Sequence, residues 1–271
     1  MCRFAALVAD DGAAPLPLAT LLYDPPHSLE RQAYAPREQP ANAVNVDGTG
    51  IAWWADDAVA ALRYAGDSPP WSDPNLPALA PRLRSTRQIA AVRWATPGIP
   101  YGPDLTAPFT RERLAFAHNG WIGGFRTRTA RPLLDRLPDH LYAAHTAASD
   151  SLALFLTVVA AWERHRDAGL VGAVRAGLAD VVTACRETAV GARLNVLAGD
   201  GERIVAVRTS LAEPCNSLYV LEHGERWPRA RLVASEPLDE DPGWAEVPEH
   251  TVVELTAQAL TTTPLDAGAG S

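Results

Sequence analysis

Met1-Cys2-Arg3-Phe4-Ala5-Ala6-Leu7-Val8-Ala9 is the stretch around which the other sequence features group. Residues 2–9 form an apolar run that ends at Asp10-Asp11-Gly12, and this pattern predicts a short buried strand. We expect Met1 to be removed before the small residue Cys2, which leaves a free α-amine at the end of a rigid element. A free thiol has a pKa of about 8.5 and an α-amine of about 7.7–8.0, so such a residue combines a nucleophile with a base.

Composition indicates an ordinary globular protein. The chain has 271 residues, of which 47% are hydrophobic and 21% charged, which is enough to build a sizeable core. A net charge of −8 disfavours binding to nucleic acid or to an anionic membrane surface. We find no signal-peptide pattern and no apolar run of transmembrane length, so we expect a cytoplasmic protein.

The cysteines and histidines predict neither a disulfide framework nor a metal site. Cys2, Cys185 and Cys215 are too few and too widely spaced for a disulfide framework or a zinc site. The seven histidines show no spacing typical of metal ligands, so we expect no metal and no cofactor. We interpret Cys185 as a thiol in a helix core and Cys215 as a turn residue.

Periodicity changes along the chain from strand to helix and back to strand. We expect strands at 89–93 and 114–117, so that Arg93 and Asn119-Gly120 lie where strands end and loops begin. Apolar residues at helical spacing predict helices at 152–162 and 170–186, the first capped by Ser149-Asp150-Ser151. From residue 194 onward the period is again two. This order favours mixed sheets with a helical layer packed on them.

Cys2, Arg93-Trp94-Ala95-Thr96, Asn119-Gly120 and Ser149-Asp150-Ser151 occur in an order that resembles the class II glutamine amidotransferase family of N-terminal nucleophile hydrolases. The resemblance implies an α+β fold, a four-layer αββα sandwich of two mixed or antiparallel sheets flanked by helices (the Ntn-hydrolase fold). It covers residues 2–256 as a single domain. We expect 257–271 to form a C-terminal tail, because its end is rich in small residues.

The same resemblance implies a role for each motif. Cys2 would be the nucleophile that forms a thioester, with its own α-amine as base, and Asn119 with the N–H of Gly120 would form the oxyanion hole. Arg93, flanked by Trp94 and Thr96, would bind the α-carboxylate of a γ-glutamyl group, and Asp150 its α-ammonium. These roles are chemically consistent, because a zwitterion needs one cation and one anion at fixed spacing.

Seven further motifs together are similar to the EgtC-like amidohydrolases of ergothioneine biosynthesis: Pro25-Pro26-His27-Ser28-Leu29, Gln32-Ala33-Tyr34-Ala35-Pro36-Arg37, Val44-Asn45-Val46-Asp47-Gly48-Thr49-Gly50, Trp71-Ser72-Asp73, Ala107-Pro108-Phe109, Ala117-His118-Asn119-Gly120 and Ala234-Ser235-Glu236-Pro237-Leu238. This resemblance implies cleavage of γ-glutamyl-hercynylcysteine sulfoxide to glutamate and hercynylcysteine sulfoxide. Trp71 and Asp73 are further candidate substrate ligands, since an indole ring can stack on a trimethylammonium group. We expect His118 to pack behind Asn119 rather than to act as a base.

Other interpretations of these residues stay open at this stage. Asn119-Gly120 is a common hairpin-turn pair, and Asp150 is a favourable charge at a helix N-terminus. The chain could be a glutaminase subunit that supplies ammonia to a separate synthase, or a non-catalytic γ-glutamyl-binding module. We expect a small-molecule γ-glutamyl partner, no nucleic acid and no membrane; the sequence does not indicate the oligomeric state.

Overall fold

The computed structural model describes residues 2–39, 44–55, 60–95 and 102–265. The strands are β1 (Arg3–Ala9), β2 (Leu16–Pro17), β3 (Thr49–Trp53), β4 (Leu62–Gly66), β5 (Arg84–Ser85), β6 (Arg87–Val92), β7 (Phe109–Arg111), β8 (Leu114–Ile122), β9 (Ala192–Gly199), β10 (Ile204–Arg208), β11 (Ser210–Leu211), β12 (Tyr219–Glu222), β13 (Ala230–Ala234), β14 (Ala245–Glu246), β15 (Thr251–Leu255) and β16 (Leu260–Pro264). The helices are α1 (Ala19–Leu22), α2 (Leu29–Tyr34), α3 (Leu76–Leu79), α4 (Ala130–Leu134), α5 (Asp139–Tyr142), α6 (Asp150–Arg164) and α7 (Gly169–Glu187).

Within these ranges the strands form two large sheets and one small one. The first sheet has the order β14-β12-β13-β1-β6-β3-β4, and the second has the order β16-β15-β10-β9-β8-β7 with β11 also paired to β9. Strands β2 and β5 pair with each other. The pairings on either side of β1 and β8 are antiparallel. Strand β1, which carries the Cys2 end of the chain, is therefore a central strand.

The alternation of side chains along β1 separates two layers of the core. Phe4 and Ala6 pack between the two sheets, whereas Ala5 and Leu7 face the side covered by α1 and α2. On the far side, α6 and α7 pack against the outer face of the second sheet. The layers therefore follow the order α, β, β, α, which confirms the four-layer sandwich. Because Cys2 precedes Phe4 by two positions, strand alternation directs it toward the layer between the sheets.

The two long helices form where the sequence predicts them. Ser149 caps α6, because its Oγ accepts a hydrogen bond from the Leu152 N–H at 3.3 Å. Helix α7 is long and apolar enough to cross a membrane by length and composition, yet half of that segment is buried in the protein. A Cβ at Gly177 would lie 2.7 Å from Cγ2 of Val158, so glycine allows α7 to approach α6 closely.

Two local predictions are wrong. Asn119-Gly120 does not follow a strand end, because β8 runs from Leu114 to Ile122 and pairs Gly120 with Leu194. The predicted tail also contains a strand, since β16 pairs with β15 from Leu255↔Leu260 onward. Threonines at 261–263 favour an extended backbone, and this β-propensity outweighs the small-residue composition that indicated a tail.

Candidate active site

Two adjoining cavities lie at the Cys2 end of β1. The larger is a cleft of about 530 Å³ and the smaller has a volume of about 40 Å³. Both are lined by Cys2, Trp94, Ala95, Gly120 and Asp150. Arg93, His118 and Ser151 line only the smaller cavity, and Trp121 and Phe125 line only the cleft. The structure thus brings together residues that are far apart in the sequence.

Cys2 is half-buried at the edge of both cavities, directly before β1. Its Sγ lies 3.7 Å from the carbonyl oxygen of Trp94, which can accept the thiol proton in a weak hydrogen bond. Trp94 is itself 44% exposed at the cavity rim. The thiol is therefore accessible from the cleft, while the strand behind it is packed in the core.

Arg93 follows β6 directly, as predicted, and is 8% exposed. Its backbone is held by the loop before β3: the N–H donates to the Gly48 carbonyl at 2.8 Å, and the carbonyl accepts from the Asp47 N–H at 3.0 Å. The Asp47 carboxylate also accepts the Ala95 N–H at 2.7 Å. The Val44–Gly48 motif therefore braces the segment that carries the candidate carboxylate ligand.

Asp150 is the first residue of α6, and its carboxylate is tied to β8. Oδ2 accepts the Ile122 N–H at 2.9 Å, and Oδ1 accepts the Ser151 N–H at 2.7 Å. The side chain is buried yet lines both cavities. A carboxylate has about four acceptor sites, so these bonds leave capacity for a substrate ammonium.

His118 lies behind this carboxylate and is buried. Its Nε2 donates to the Arg193 carbonyl at 2.9 Å, which leaves Nδ1 to accept the Ser151 hydroxyl at 2.8 Å. Burial lowers the pKa of His118, and this effect exceeds the opposing influence of the Asp150 charge and of the bond to Arg193. His118 is therefore packed among β8, β9 and α6, which is the position the sequence led us to expect.

Asn119 is fully buried within β8. Its Nδ2 lies 3.4 Å from Oγ of Ser235, and its backbone carbonyl accepts from Nδ2 of Asn216 at 2.9 Å. At the next residue only glycine fits, because a Cβ at Gly120 would overlap the Arg193 carbonyl of the neighbouring strand. Gly120 lines both cavities with Cys2, whereas the Asn119 side chain lies behind their lining. An amide side chain and a backbone N–H are the groups from which an oxyanion hole can be built.

Comparison with known families identifies this arrangement. The family model described as "Glutamine amidotransferases class-II" matches residues 26–223. The chain belongs to the class II glutamine amidotransferases. Among curated relatives, the gamma-glutamyl-hercynylcysteine sulfoxide hydrolase of Mycolicibacterium smegmatis is 35% identical over 265 residues, covering 98% of this chain and 100% of the relative. The protein of that name from Mycobacterium tuberculosis H37Rv is 33% identical over 270 residues, covering 100% and 99%.

Solved structures of class II glutamine amidotransferases share the fold. A glutamine aminotransferase class-II domain protein from Silicibacter pomeroyi has a TM-score of 0.70 at 23% identity and covers 97% of this chain and 98% of its own. The glutamine phosphoribosylpyrophosphate amidotransferase of B. subtilis has a TM-score of 0.65 at 13% identity, with 98% of this chain matched to 50% of that one. At these identities the likeness concerns the fold alone.

Two further candidate ligands, Trp71 and Asp73, are not part of the lining of the two cavities. Trp71 is 43% exposed and meets Tyr34 edge to face, with ring centroids 5.3 Å apart. The carboxylate of Asp73 accepts the Leu76 N–H at 2.8 Å and the Tyr64 hydroxyl at 2.5 Å, so it organises the start of α3. Neither residue lines the two cavities. Thr96 lies outside the described residues, and the substrate contacts of all three stay predictions.

Sequence reasoning missed a buried ionic network directly behind Cys2. The Glu236 carboxylate meets an Arg3 guanidinium nitrogen at 3.0 Å and His27 Nε2 at 2.7 Å, and it accepts the N–H groups of Arg37 and Glu38. Burial alone would raise the pKa of Glu236, but the His27 bond, the Arg3 charge and the backbone donors together lower it. Three of the motifs named above contribute to this network: Glu236 lies in Ala234–Leu238, His27 in Pro25–Leu29 and Arg37 in Gln32–Arg37, but the sequence does not indicate that they meet.

No metal-binding cluster accompanies the site in the part of the chain that the structure describes. There, no group of three His, Cys, Asp or Glu side chains is placed to hold a metal ion.

Proposed function

We propose that this chain hydrolyses the γ-glutamyl amide of γ-glutamyl-hercynylcysteine sulfoxide, releasing glutamate and hercynylcysteine sulfoxide in ergothioneine biosynthesis. The observation that carries the proposal is that Cys2, Arg93 and Asp150 line one cavity. This places a thiol beside a cation and an anion, as binding and cleavage of a γ-glutamyl group require. The full-length similarity to hydrolases of that name supports the choice of substrate.

The γ-glutamyl head group is held by opposite charges in this proposal. The guanidinium of Arg93 binds the α-carboxylate through its planar fork of donors. Asp150 accepts the α-ammonium through the acceptor sites that Ile122 and Ser151 leave unused. Because the loop at Asp47 and the backbone of β8 fix these two groups, the γ-carbonyl is directed toward Cys2.

The proposed chemical steps use the thiol and the α-amine of Cys2, which both lie at the N-terminus after Met1 is removed. Removal of Met1 frees the α-amine of Cys2, which takes the thiol proton while the sulfur attacks the γ-carbonyl. The resulting oxyanion is bound by Nδ2 of Asn119 and the N–H of Gly120. Collapse breaks the C–N bond, and the amine product leaves with the proton. Water then adds to the glutamyl thioester, which releases glutamate and regenerates the Cys2 thiol. The reaction site is expected to be cytoplasmic.

The proposal is tested by glutamate release. We expect purified protein to release glutamate from γ-glutamyl-hercynylcysteine sulfoxide faster than from glutamine at equal concentration, and intact mass to show that Met1 is absent. A preference for glutamine that rises when a synthase is added would instead support ammonia supply. No release from either compound above the level of a Cys2→Ala control would reject catalysis.

The oxyanion role of Asn119 leads to a kinetic prediction. We expect Asn119→Ala to lower kcat by about 10²–10³-fold, because one of two oxyanion donors is lost. KM should change little, since the head group is held by Arg93 and Asp150. Steady-state glutamate release checks this, with circular dichroism as a control for folding. A kcat within about 3-fold of wild type would contradict the role.

The aromatic wall of the cleft is the candidate site for the amine half. Trp94, Trp121 and Phe125 line the cleft beside Cys2, and ring faces attract quaternary ammonium groups. We expect Trp121→Ala to raise KM for the sulfoxide substrate by about 2- to 30-fold, equivalent to a cation–π contact. KM for glutamine should not change, because glutamine lacks the amine half. An equal rise for both substrates would indicate that the cleft is distorted.

A further inference from the structure

Ser235 connects the strand that carries Cys2 to the strand that carries Asn119. It follows β13 directly and is fully buried. Its N–H donates to the Phe4 carbonyl at 2.9 Å, and its Oγ accepts the Phe4 N–H at 3.1 Å. A side-chain hydroxyl thus serves as the acceptor for the backbone two residues after the nucleophile.

The same oxygen contacts the second sheet. Oγ of Ser235 lies 3.4 Å from Nδ2 of Asn119, and both atoms are in the layer between the sheets. The Phe4 N–H and the Asn119 Nδ2–H₂ group are both donors, so Ser235 Oγ is the acceptor in both contacts. A hydroxyl oxygen has two acceptor lone pairs, and Oγ can therefore accept from both groups at once. One atom therefore links the start of β1 to the middle of β8.

Asn216 restricts the amide from the other end. Its Nδ2 donates to the Asn119 carbonyl at 2.9 Å and lies 3.5 Å from Asn119 Oδ1. Rotating the Asn119 amide by half a turn would bring its N–H₂ group against the N–H₂ group of Asn216. With Nδ2 toward Ser235, one N–H is used by Oγ, and the proposed oxyanion role of Asn119 assigns the second N–H to the substrate oxygen.

We propose that Ser235 is a positioning residue that orients the Asn119 amide relative to Cys2 for oxyanion binding. This inference rests on the proposed oxyanion role of Asn119. Ser235 touches no reacting atom: it acts on the oxyanion site through Asn119, and the double-mutant cycle separates this role from its bond to the Phe4 N–H. Without its hydroxyl, the amide keeps only the restraint from Asn216 on a terminal torsion that is intrinsically broad, and the oxyanion donor is less well preorganised.

The test is a double-mutant cycle of Ser235→Ala and Asn119→Ala, measured on both the sulfoxide substrate and glutamine. We expect Ser235→Ala to lower kcat by about 5- to 10-fold with little change in KM. In the Asn119→Ala background, the same change should alter kcat by less than about 2-fold. The control Ser217→Ala removes a hydroxyl that donates to the Ser235 carbonyl at 2.8 Å, and it should leave kcat unchanged.

A binding readout separates positioning from general destabilisation. The γ-aldehyde analogue of glutamate forms a thiohemiacetal with Cys2 whose oxygen occupies the oxyanion site, whereas glutamate itself tests only the head group. We expect Ser235→Ala to weaken aldehyde binding by about 5- to 10-fold and glutamate binding by less than about 2-fold. Equal weakening of aldehyde binding and of glutamate binding would overturn the inference. It would also be overturned if Ser235→Ala lowered kcat as much in the Asn119→Ala background as in the wild type. Failure on the sulfoxide with success on glutamine would reject only the proposed substrate.

Discussion

We expect Cys2→Ala to lower kcat for glutamate release by a factor on the order of 10⁴–10⁶, the range found when a catalytic nucleophile is removed. The expected reason is that the other groups lining the cavity have different tasks: in the proposed mechanism Arg93 and Asp150 bind the head group, and His118 is hydrogen-bonded to Arg193 and Ser151. The fold should be retained, since Cys2 precedes β1 and is only half-buried. The rate of glutamate release measures the loss of kcat, and thermal unfolding measures whether the fold is retained.

A matched variant separates the thiol from the amine. Inserting alanine between Met1 and Cys2 keeps the thiol directly before β1. After removal of Met1 the free α-amine then belongs to the inserted alanine and no longer to the cysteine. We expect kcat to fall by about 10²–10⁴-fold, the usual contribution of a general base. Wild-type kcat in the inserted variant would show that the α-amine of Cys2 is not the base, even if Cys2→Ala is inactive.

Glu236→Gln is expected to have the largest effect on stability. The carboxylate is fully buried with the Arg3 guanidinium at 3.0 Å, so its removal leaves a buried cation without its counter-charge. Breaking such a pair typically destabilises a protein by about 3–5 kcal/mol. Chemical denaturation should show this difference at neutral pH. The control is Glu240→Gln, which removes an exposed pair with Arg37 and should change stability by less than about 1 kcal/mol.

The pH dependence of this effect has a defined sign. The pKa of Glu236 in the folded protein lies below its ordinary value of 4.5. The carboxylate therefore contributes its full stability above that value, and the contribution is lost as pH falls through the lower folded-state pKa. The stability difference between wild type and Glu236→Gln should shrink below about pH 4.5. A difference that grows on acidification would contradict the assigned network.

The candidate residues whose positions in the secondary structure were predicted correctly are those with a strong local signal. Arg93 follows a short apolar strand, and Asp150 begins a capped apolar helix, so local pattern places both. Cys2 follows from its position before an apolar run. The convergence of these residues on one cavity was inferred from a family resemblance, because spacing along the chain does not determine distances across two sheets.

The features that the sequence did not reveal depend on long-range pairing. Asn119-Gly120 favours a hairpin turn by local propensity, but its register with β9 places it inside a strand. Ser235 and Glu236 acquire their roles from contacts with Phe4 and Arg3, more than two hundred residues away. Nothing in the local sequence of a serine or glutamate distinguishes such a buried partner from a surface residue.

The most direct test of the account is to trap the covalent intermediate. Protein mixed with γ-glutamyl-hercynylcysteine sulfoxide is quenched in acid within one turnover, digested and analysed by mass spectrometry. The account predicts an N-terminal peptide that begins at Cys2, lacks Met1 and carries one glutamyl group on the thiol, and no such adduct in Asn119→Ala at the same time point. A glutamyl group on another residue, or active protein that retains Met1, would contradict it.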